Sequence, residues 1–268
     1  MKILLIVIII LLLLALYVIF ENFFMLTVRR EKLGSGIKVV QVSDLHKKRF
    51  GTDNERLIRK VRAEKPDIII LSGDLISRNE TDFSSADFVL KGLCVTAPVY
   101  MIYGNHEQSI HKENKRIFKK ILMKNRQILL KNGCAELTVK GRTLKIYGLL
   151  EDYGVYKKNG GYRGLDVIEK KDLDRLLGPC PEGEVLLIAH NPFFGKEYAE
   201  WGAKYTFSGH VHGGSVRLFG KALLSPERKF FPKYAKGVYD FDGKKLLVSA
   251  GLGKIRLFDP PEIVVYEI

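Results

Sequence analysis

Short apolar runs of strand length recur along this chain, and most of those in its middle break into a polar tail carrying a histidine, an aspartate or an asparagine. The clearest is Tyr205 to Phe207, followed by Ser208-Gly209-His210-Val211-His212-Gly213-Gly214. Residues two apart on an extended strand end face the same side. His210 and His212 can therefore aim both imidazoles into one cavity, while the glycines admit close approach of backbone and ligand. Ile37 to Val42 ends in Ser43-Asp44-Leu45-His46, again with ligand-type residues two apart, and a carboxylate beside an imidazole suits a divalent transition metal. Asp67-Ile68-Ile69-Ile70-Leu71 reads as a strand buried on both faces and ends in Ser72-Gly73-Asp74, where an aspartate is costly unless paired or metal-bound. Val99 to Tyr103 leads into Gly104-Asn105-His106-Glu107. Asn105 can ligate through its amide oxygen and leaves His106 free to act on substrate, although Gly-Asn also favours a simple β-turn. Val185 to Ala189 ends in His190-Asn191-Pro192, and of the 6 histidines only His111 lies away from such a strand end.

Between these runs lie helical patterns. Thr52 or Asp53 caps a helix with Leu57, Ile58 and Val61 on one face, ending before Pro66; others cover Ser85 to Leu93 and Asp172 to Leu177, the latter closed by Gly178-Pro179. Lys112 to Lys131 reads as one basic amphipathic helix with Ile117, Phe118, Ile121 and Leu122 as its apolar stripe. Its charged face is either solvated or a contact for lipid headgroups. Further strands are expected at Phe23 to Val28, joined to Ile37 through Gly34-Ser35-Gly36, and at Ala135 to Val139 and Thr143 to Leu149. Gly237 to Phe241 and Lys245 to Ser249 flank the tight turn Asp242-Gly243, and Glu262 to Ile268 closes the chain. The alternation of strands and helices gives an α/β fold class, and 268 residues suffice for one such domain with a substantial core. Cys94, Cys134 and Cys180 are widely spaced, outside any CxxC pattern, and support neither a disulfide framework nor a zinc knuckle.

Residues Ile3 to Phe20 are uninterruptedly apolar behind Met1-Lys2, long enough to approach the thickness of a bilayer core. This reads as a single-pass transmembrane helix rather than a cleaved signal, whose apolar region is shorter and is followed by a small-x-small site. The division is then an anchor over residues 1–22 and a catalytic domain over 23–268, located at the cell membrane. Arg29, Arg30 and Lys32 balance Lys2 across the span without fixing which face the domain occupies. A net charge of +14 favours an anionic partner: a phosphorylated substrate, an acidic membrane surface or nucleic acid. No aromatic-basic platform for single strands is evident, so no specific nucleic-acid partner is expected.

Asp44, His46, Asp74, Asn105, His190, His210 and His212 each follow a strand, and in α/β sheets sites form beyond the carboxyl ends of the strands, where scattered residues converge. Seven ligands are too many for one tetrahedral ion and suit two divalent ions, with mixed nitrogen and oxygen donors favouring manganese, iron or zinc over calcium. The chain has no GxxxxGK[ST] loop, GxSxG elbow or HExxH pair. At these residues it resembles the calcineurin-like metallophosphoesterase superfamily: the blocks DLH, GD, GNHE, H and GHVH stand in order between residues 44 and 212. The HGGSVRL run, the GLG at Gly251 to Gly253 and the PPEI near the end are similar to the membrane-associated bacterial branch of YkuE-like and YaeI-like phosphoesterases.

The resemblance implies two β-sheets packed face to face and flanked by helices. It further implies that Asp44, His46, Asp74 and His212 hold one ion, that Asp74, Asn105, His190 and His210 hold the other, and that Asp74 bridges them. A hydroxide between the ions would attack phosphorus, with His106 as the catalytic side chain that stabilises the phosphoryl group or protonates the leaving oxygen. The implied activity is hydrolysis of phosphate mono- or diesters, including lipid-linked, pyrophosphate-containing compounds. A non-catalytic membrane scaffold and a phosphodiesterase acting on nucleotides are the alternatives. Lys47, Lys48, Arg49 and Arg78 follow ligand-bearing strand ends, where they either meet phosphate or are merely solvated.

Overall fold

Isoleucines at 68 and 70 face one way and Ile69 and Leu71 the other, and all four are buried, which requires cover on both sides of their strand. A computed structural model supplies that cover with two six-stranded sheets stacked between layers of helices. It describes residues 2–214, 216–218, 220–225, 230–253 and 256–268, so Ser215 of the HGGSVRL run lies outside the described residues.

The first element, α1 (Lys2–Phe23), is 22 residues long, about 33 Å by helical rise. Its aliphatic side chains stand exposed and only Glu21 and Asn22 are buried. Among the described residues it is the one helix long and apolar enough to cross a membrane. After it come β1 (Thr27–Lys32), β2 (Lys38–Val42), α2 (Glu55–Ala63), β3 (Ile68–Leu71), α3 (Ser84–Cys94), β4 (Val99–Met101), α4 (Asn105–Gln108), α5 (Lys112–Lys124), β5 (Ile128–Leu129), β6 (Gly133–Val139) and β7 (Arg142–Gly148). The second half adds α6 (Lys170–Leu177), β8 (Glu184–Ile188), α7 (Gly195–Trp201), β9 (Tyr205–Ser208), a small hairpin of β10 (Arg217–Leu218) and β11 (Lys221–Ala222), then β12 (Gly237–Phe241), β13 (Lys244–Val248) and β14 (Glu262–Glu267).

One sheet runs β1-β14-β2-β3-β4-β5 and the other β12-β13-β9-β8-β7-β6. Between them Val39, Ile68, Ile70 and Ile102 meet Leu144, Ile146, Leu186, Ile188 and Phe207 in one fully buried layer. Leu57, Val89, Leu90 and Phe118 bring α2, α3 and α5 onto the outer face of the first sheet. Leu173, Tyr198 and Trp201 do the same for α6 and α7 on the second. Within each sheet the ligand-bearing strands are parallel, β2 with β3 and β3 with β4, then β8 with β9, so within each their carboxyl ends point one way.

Three expectations need correcting. The strand read over Phe23 to Val28 begins only at Thr27, because α1 continues to Phe23; it enters the same sheet as β2, with β14 between them. The basic helix ends at Lys124 rather than Lys131. Asn125 donates to the Ile121 carbonyl and to Asp87, closing the helix, and Ile128-Leu129 pairs with the edge of β4 instead. Asn105 opens the short helix α4 rather than a plain β-turn. The cysteines are free.

Candidate active site

Asp74 Oδ1 accepts the backbone N–H of His106 at 2.8 Å, which leaves Oδ2 as the hub of a ring of side chains. His190 Nε2 lies 3.4 Å from it, His46 Nε2 3.8 Å and His106 Nε2 3.9 Å. Asp44 Oδ1 forms a second centre, with His212 Nε2 at 3.3 Å and His190 Nε2 at 3.9 Å. His46 and His212 face each other across 3.2 Å, nitrogen to nitrogen. The candidate residues thus come together from β2, β3, β4, β8 and β9, in the overlapping groups Asp44–His46–His212, His46–Asp74–His106 and Asp74–His190–His210, each able to hold a metal ion. Asn105 adjoins Asp74 and His210.

The backbone pays unusual attention to these positions. Asp44, His46, Asp74, His210 and His212 all take left-handed φ, between 51° and 69°. Their loops bond one another: Asp44 N–H donates to Gly73 O at 3.1 Å, His46 N–H to Asp74 O at 3.2 Å, and Gly209 N–H to His190 O at 3.1 Å. Gly73 must remain glycine, since a Cβ there would stand 2.6 Å from His190 Nδ1 and its φ is +100°.

The donor set fits divalent cations. Two buried carboxylates and the imidazoles of His46, His190, His210 and His212 are the mixed oxygen and nitrogen donors that divalent transition metals take. The Asn105 amide lies 3.2 Å from both Asp74 Oδ2 and His210 Nδ1, with Arg78 Nη2 3.0 Å away on its other side. His190 Nδ1 meets the Ser72 carbonyl at 2.7 Å, which leaves Nε2 as the ligating nitrogen.

Two buried carboxylates concentrate negative charge at this centre. Burial would raise both carboxyls, yet His212 and His190 hold Asp44 well below the usual carboxylate range, and His190 and His106 do so for Asp74. Burial works against a charged His190, but Asp74 and Asp44 outweigh it and hold the ring up at about 10. Burial dominates at His46, pushed down to about 4, and at His106, pushed down to about 3.

Several supporting residues carry no clear signature in the sequence. Glu107, fully buried, accepts the N–H groups of Asp74 at 3.0 Å, Ile76 at 3.1 Å and Gly104 at 2.9 Å. Burial and the Asp74 charge push its carboxyl up to about 8, against the opposing pull of the Ile76 and Gly104 N–H groups. Its only sequence signal was the fourth letter of GNHE. Glu151 receives Tyr156 Oη at 2.9 Å, Tyr198 Oη at 3.3 Å and Asn191 N–H at 2.9 Å, bracing the loop after β8. The Tyr156 ring stands edge-on to His210, centroids 4.9 Å apart. No spacing pointed to Tyr156.

A cavity of about 140 Å³ opens from this centre, lined by Asn105, His106, His210 and His212 on one side and by Arg78, Tyr153, Lys157 and Tyr162 on the other. A larger concavity of about 730 Å³ lies elsewhere, between β1 and α2, and contains none of the candidate ligands.

The model of the calcineurin-like phosphoesterase family matches residues 37–214, a span that includes every candidate ligand. YkoQ of Bacillus subtilis, an uncharacterized metallophosphoesterase, is 25% identical over 241 residues, covering 87% of this chain and 83% of that protein. The UDP-2,3-diacylglucosamine pyrophosphatase LpxG of Chlamydia muridarum is 24% identical over 277 residues, covering 86% of this chain and 83% of LpxG. Among solved structures, the sulfate thiohydrolase SoxB of Thermus thermophilus superposes with a TM-score of 0.52 at 13% identity, over 82% of this chain and 52% of SoxB, a likeness of fold alone. The chain belongs to the calcineurin-like phosphoesterase family and is a metal-dependent phosphoester hydrolase.

Proposed function

We propose that this hydrolase is anchored in a membrane by α1 and cleaves a phosphodiester or pyrophosphate bond in a lipid-linked substrate. The observation that carries the reading is the position of His190 Nε2 between two buried carboxylates, 3.4 Å from Asp74 and 3.9 Å from Asp44, an arrangement that makes sense around a pair of cations. The name of LpxG supports the lipid-linked pyrophosphate, and the exposed aliphatic surface of α1 supports the membrane. Asp44, His46, Asp74 and His212 would hold one ion and Asp74, Asn105, His190 and His210 the other. When bound, two divalent ions, manganese, iron or zinc, supply Lewis-acid polarisation of the phosphoryl oxygens and an activated water.

His106 Nδ1 accepts the Arg78 N–H at 3.2 Å, so its proton sits on Nε2, the nitrogen that faces the cavity. With its charged form disfavoured, the ring is a neutral hydrogen-bond donor at pH 7, able to hold a phosphoryl oxygen through Nε2–H. Arg78 has no carboxylate within ion-pairing distance among the described residues; its guanidinium donates to Tyr153 Oη at 3.3 Å and lies 3.0 Å from the Asn105 amide. Arg78, which lines the cavity, would bind a phosphate oxygen, and Lys157 and Tyr162 would meet the next group along the substrate.

The test uses full-length protein in detergent, stripped with chelator and reloaded separately with manganese, iron or zinc. It is offered an aryl phosphate monoester, a bis-aryl diester and a UDP-linked acylated sugar. Reloading restores turnover, the pyrophosphate-linked lipid gives the highest kcat/KM, and Asp74→Asn removes both turnover and one equivalent of ion. Turnover that survives chelation or Asp74→Asn refutes the site; a preference for the simple monoester refutes the substrate class.

A further inference from the structure

The last turn of α1 is joined through Arg256 to the loop that carries His212. Asn22 Nδ2 donates to the Arg256 carbonyl at 2.8 Å, Arg256 N–H donates back to Asn22 Oδ1 at 3.0 Å, and Phe258 N–H donates to Glu21 Oε2 at 2.9 Å. All three of Glu21, Asn22 and Arg256 are buried. The Arg256 guanidinium in turn reaches the carbonyls of Gly253 at 2.7 Å and of His212 at 3.3 Å. The helix is therefore no loose tether: its end grips the main chain of Arg256, whose side chain grips the His212 loop.

Depth follows from a second contact. The Phe258 ring stands 5.4 Å from that of Tyr17. Tyr17 lies six residues before the end of α1, about 9 Å along its axis, within the apolar stretch. A side chain of the globular domain thus reaches past the end of the helix to the level at which tyrosines sit in the interfacial belt of a bilayer. Phe258 is 45% exposed there. Beside it, Arg217 N–H donates to the Leu257 carbonyl at 3.0 Å, bringing the β10–β11 hairpin alongside, and Phe231 N–H donates to the Leu223 carbonyl at 3.0 Å. Leu218 is 40% exposed and Phe231 68%. Arg217, Lys221 and Lys233 are interspersed among these apolar groups, and Arg217 Nη1 donates at 3.0 Å to the carbonyl of Gly213, the residue after His212.

We propose that Phe258, Leu218 and Phe231 form a membrane-embedded rim, continuous with α1, that seats the mouth of the metal site on the bilayer surface. Bulky apolar side chains among lysines and arginines are the chemistry of the headgroup–acyl boundary, where the rings enter the acyl edge and the cations meet lipid phosphates. The occupant is lipid, because the patch continues the surface of a helix whose exposed side chains from Ile3 to Phe20 are all apolar. A substrate phosphate would then be drawn from the headgroup layer without leaving the membrane. The inference rests on α1 crossing the membrane and not on the hydrolytic chemistry.

Full-length protein is reconstituted in phosphatidylcholine–phosphatidylglycerol vesicles with or without bromine on the upper acyl chain, and the fluorescence of single added tryptophans is read against native, buried Trp201. Phe258→Trp and Phe231→Trp are expected to lose about half their emission to brominated lipid. Val95→Trp, 71% exposed on the turn before β4 at the opposite ends of the strands, is expected to lose none. Tyr17→Trp reports α1 itself. Quenching at Tyr17→Trp but not at Phe258→Trp or Phe231→Trp overturns the rim and leaves the anchor standing. Quenching at none of them overturns the membrane reading as a whole, and neither result touches the hydrolase reading. Positions shielded from aqueous acrylamide yet silent to bromine would mean a protein-covered patch, which also overturns the proposal.

Discussion

Glu107 holds the N–H groups of Asp74, Ile76 and Gly104 while it is 1% exposed, so its replacement by glutamine isolates one acceptor oxygen without changing shape. The amide can turn its oxygen toward Asp74 and Gly104; its NH2 then confronts the Ile76 N–H, which stays unsatisfied. At pH 9, above the value of about 8 to which its carboxyl is pushed, the buried Ile76 N–H loses a charged partner, and an orphaned buried donor costs about 1–3 kcal/mol, so Glu107→Gln destabilises by about 3 kcal/mol. At roughly 2–4 °C per kcal/mol for a domain of this size, the melting temperature falls by about 10 °C. Thermal unfolding of the detergent-solubilised protein in excess chelator measures this loss free of ion binding. A second titration, with manganese, reads the positioning role. Asp74 and Asn105 flank the bonds that Glu107 makes, and the loss of such support weakens metal affinity by about 10–100-fold. A variant that melts within about 1 °C of the wild type and binds manganese as tightly would show that the three N–H groups have other partners, and the reasoning fails.

Arg78→Met is expected to raise KM for the bis-aryl diester by about tenfold or more with kcat within about twofold, since a charged hydrogen bond to phosphate contributes about 1.5–3 kcal/mol. Steady-state kinetics in which KM is unchanged and kcat falls would move Arg78 from binding to chemistry. The hydrogen bond from Arg142, at 2.7 Å, followed by Lys204, holds Glu184 down at about 2 against a modest burial penalty. Its folded value lies below its unfolded value, so the stability it contributes is complete above pH 4.5 and disappears as pH falls toward about 2. The Tm difference between wild type and Glu184→Gln, small because the pair is partly exposed, should shrink through that window; a difference that grows in acid contradicts the assignment. Tyr156→Phe removes one donor from buried Glu151 and keeps the ring against His210, so it should lower stability by about 1–2 kcal/mol and change kcat only a few-fold, as unfolding and turnover of the purified variant will report.

The ligand-bearing strand ends were legible because each combines a buried apolar run, which can only be a covered strand, with a polar residue that a buried strand end cannot tolerate alone. Asp74 after Ile68–Leu71 is the plainest case. What surrounds them was not legible, for the reason that its partners are remote in sequence. Asn22 meets Arg256 across 234 positions, and β14 comes from the far end of the chain to lie between β1 and β2. The misread end of α5 has the same origin. Ile128 and Leu129 continue the helical period on paper, and only the open edge of β4, absent from any local window, draws them into a strand. Tyr156 and Glu151 sit in a loop whose composition looks merely polar, and their role follows from what the loop after β8 packs against.

The left-handed backbone at His46, His210 and His212 bears on what selected those residues. Each such position costs a non-glycine residue about 1–2 kcal/mol, and glycine or asparagine would adopt it with less strain. Three histidines there, with two aspartates in the same conformation, set a local cost of several kcal/mol against a net stability that is itself only about 5–15 kcal/mol. Backbone ease alone would have chosen differently. The conformation turns Cβ away from the strand direction, so that side chains from the ends of β2, β3 and β9 aim at the space between Asp44 and Asp74, and the interloop bonds from Asp44, His46 and Gly209 hold it in place. The nitrogen each ring delivers to that space is then the reason for the residue, and the strain in these loops is the cost of converging on a common target.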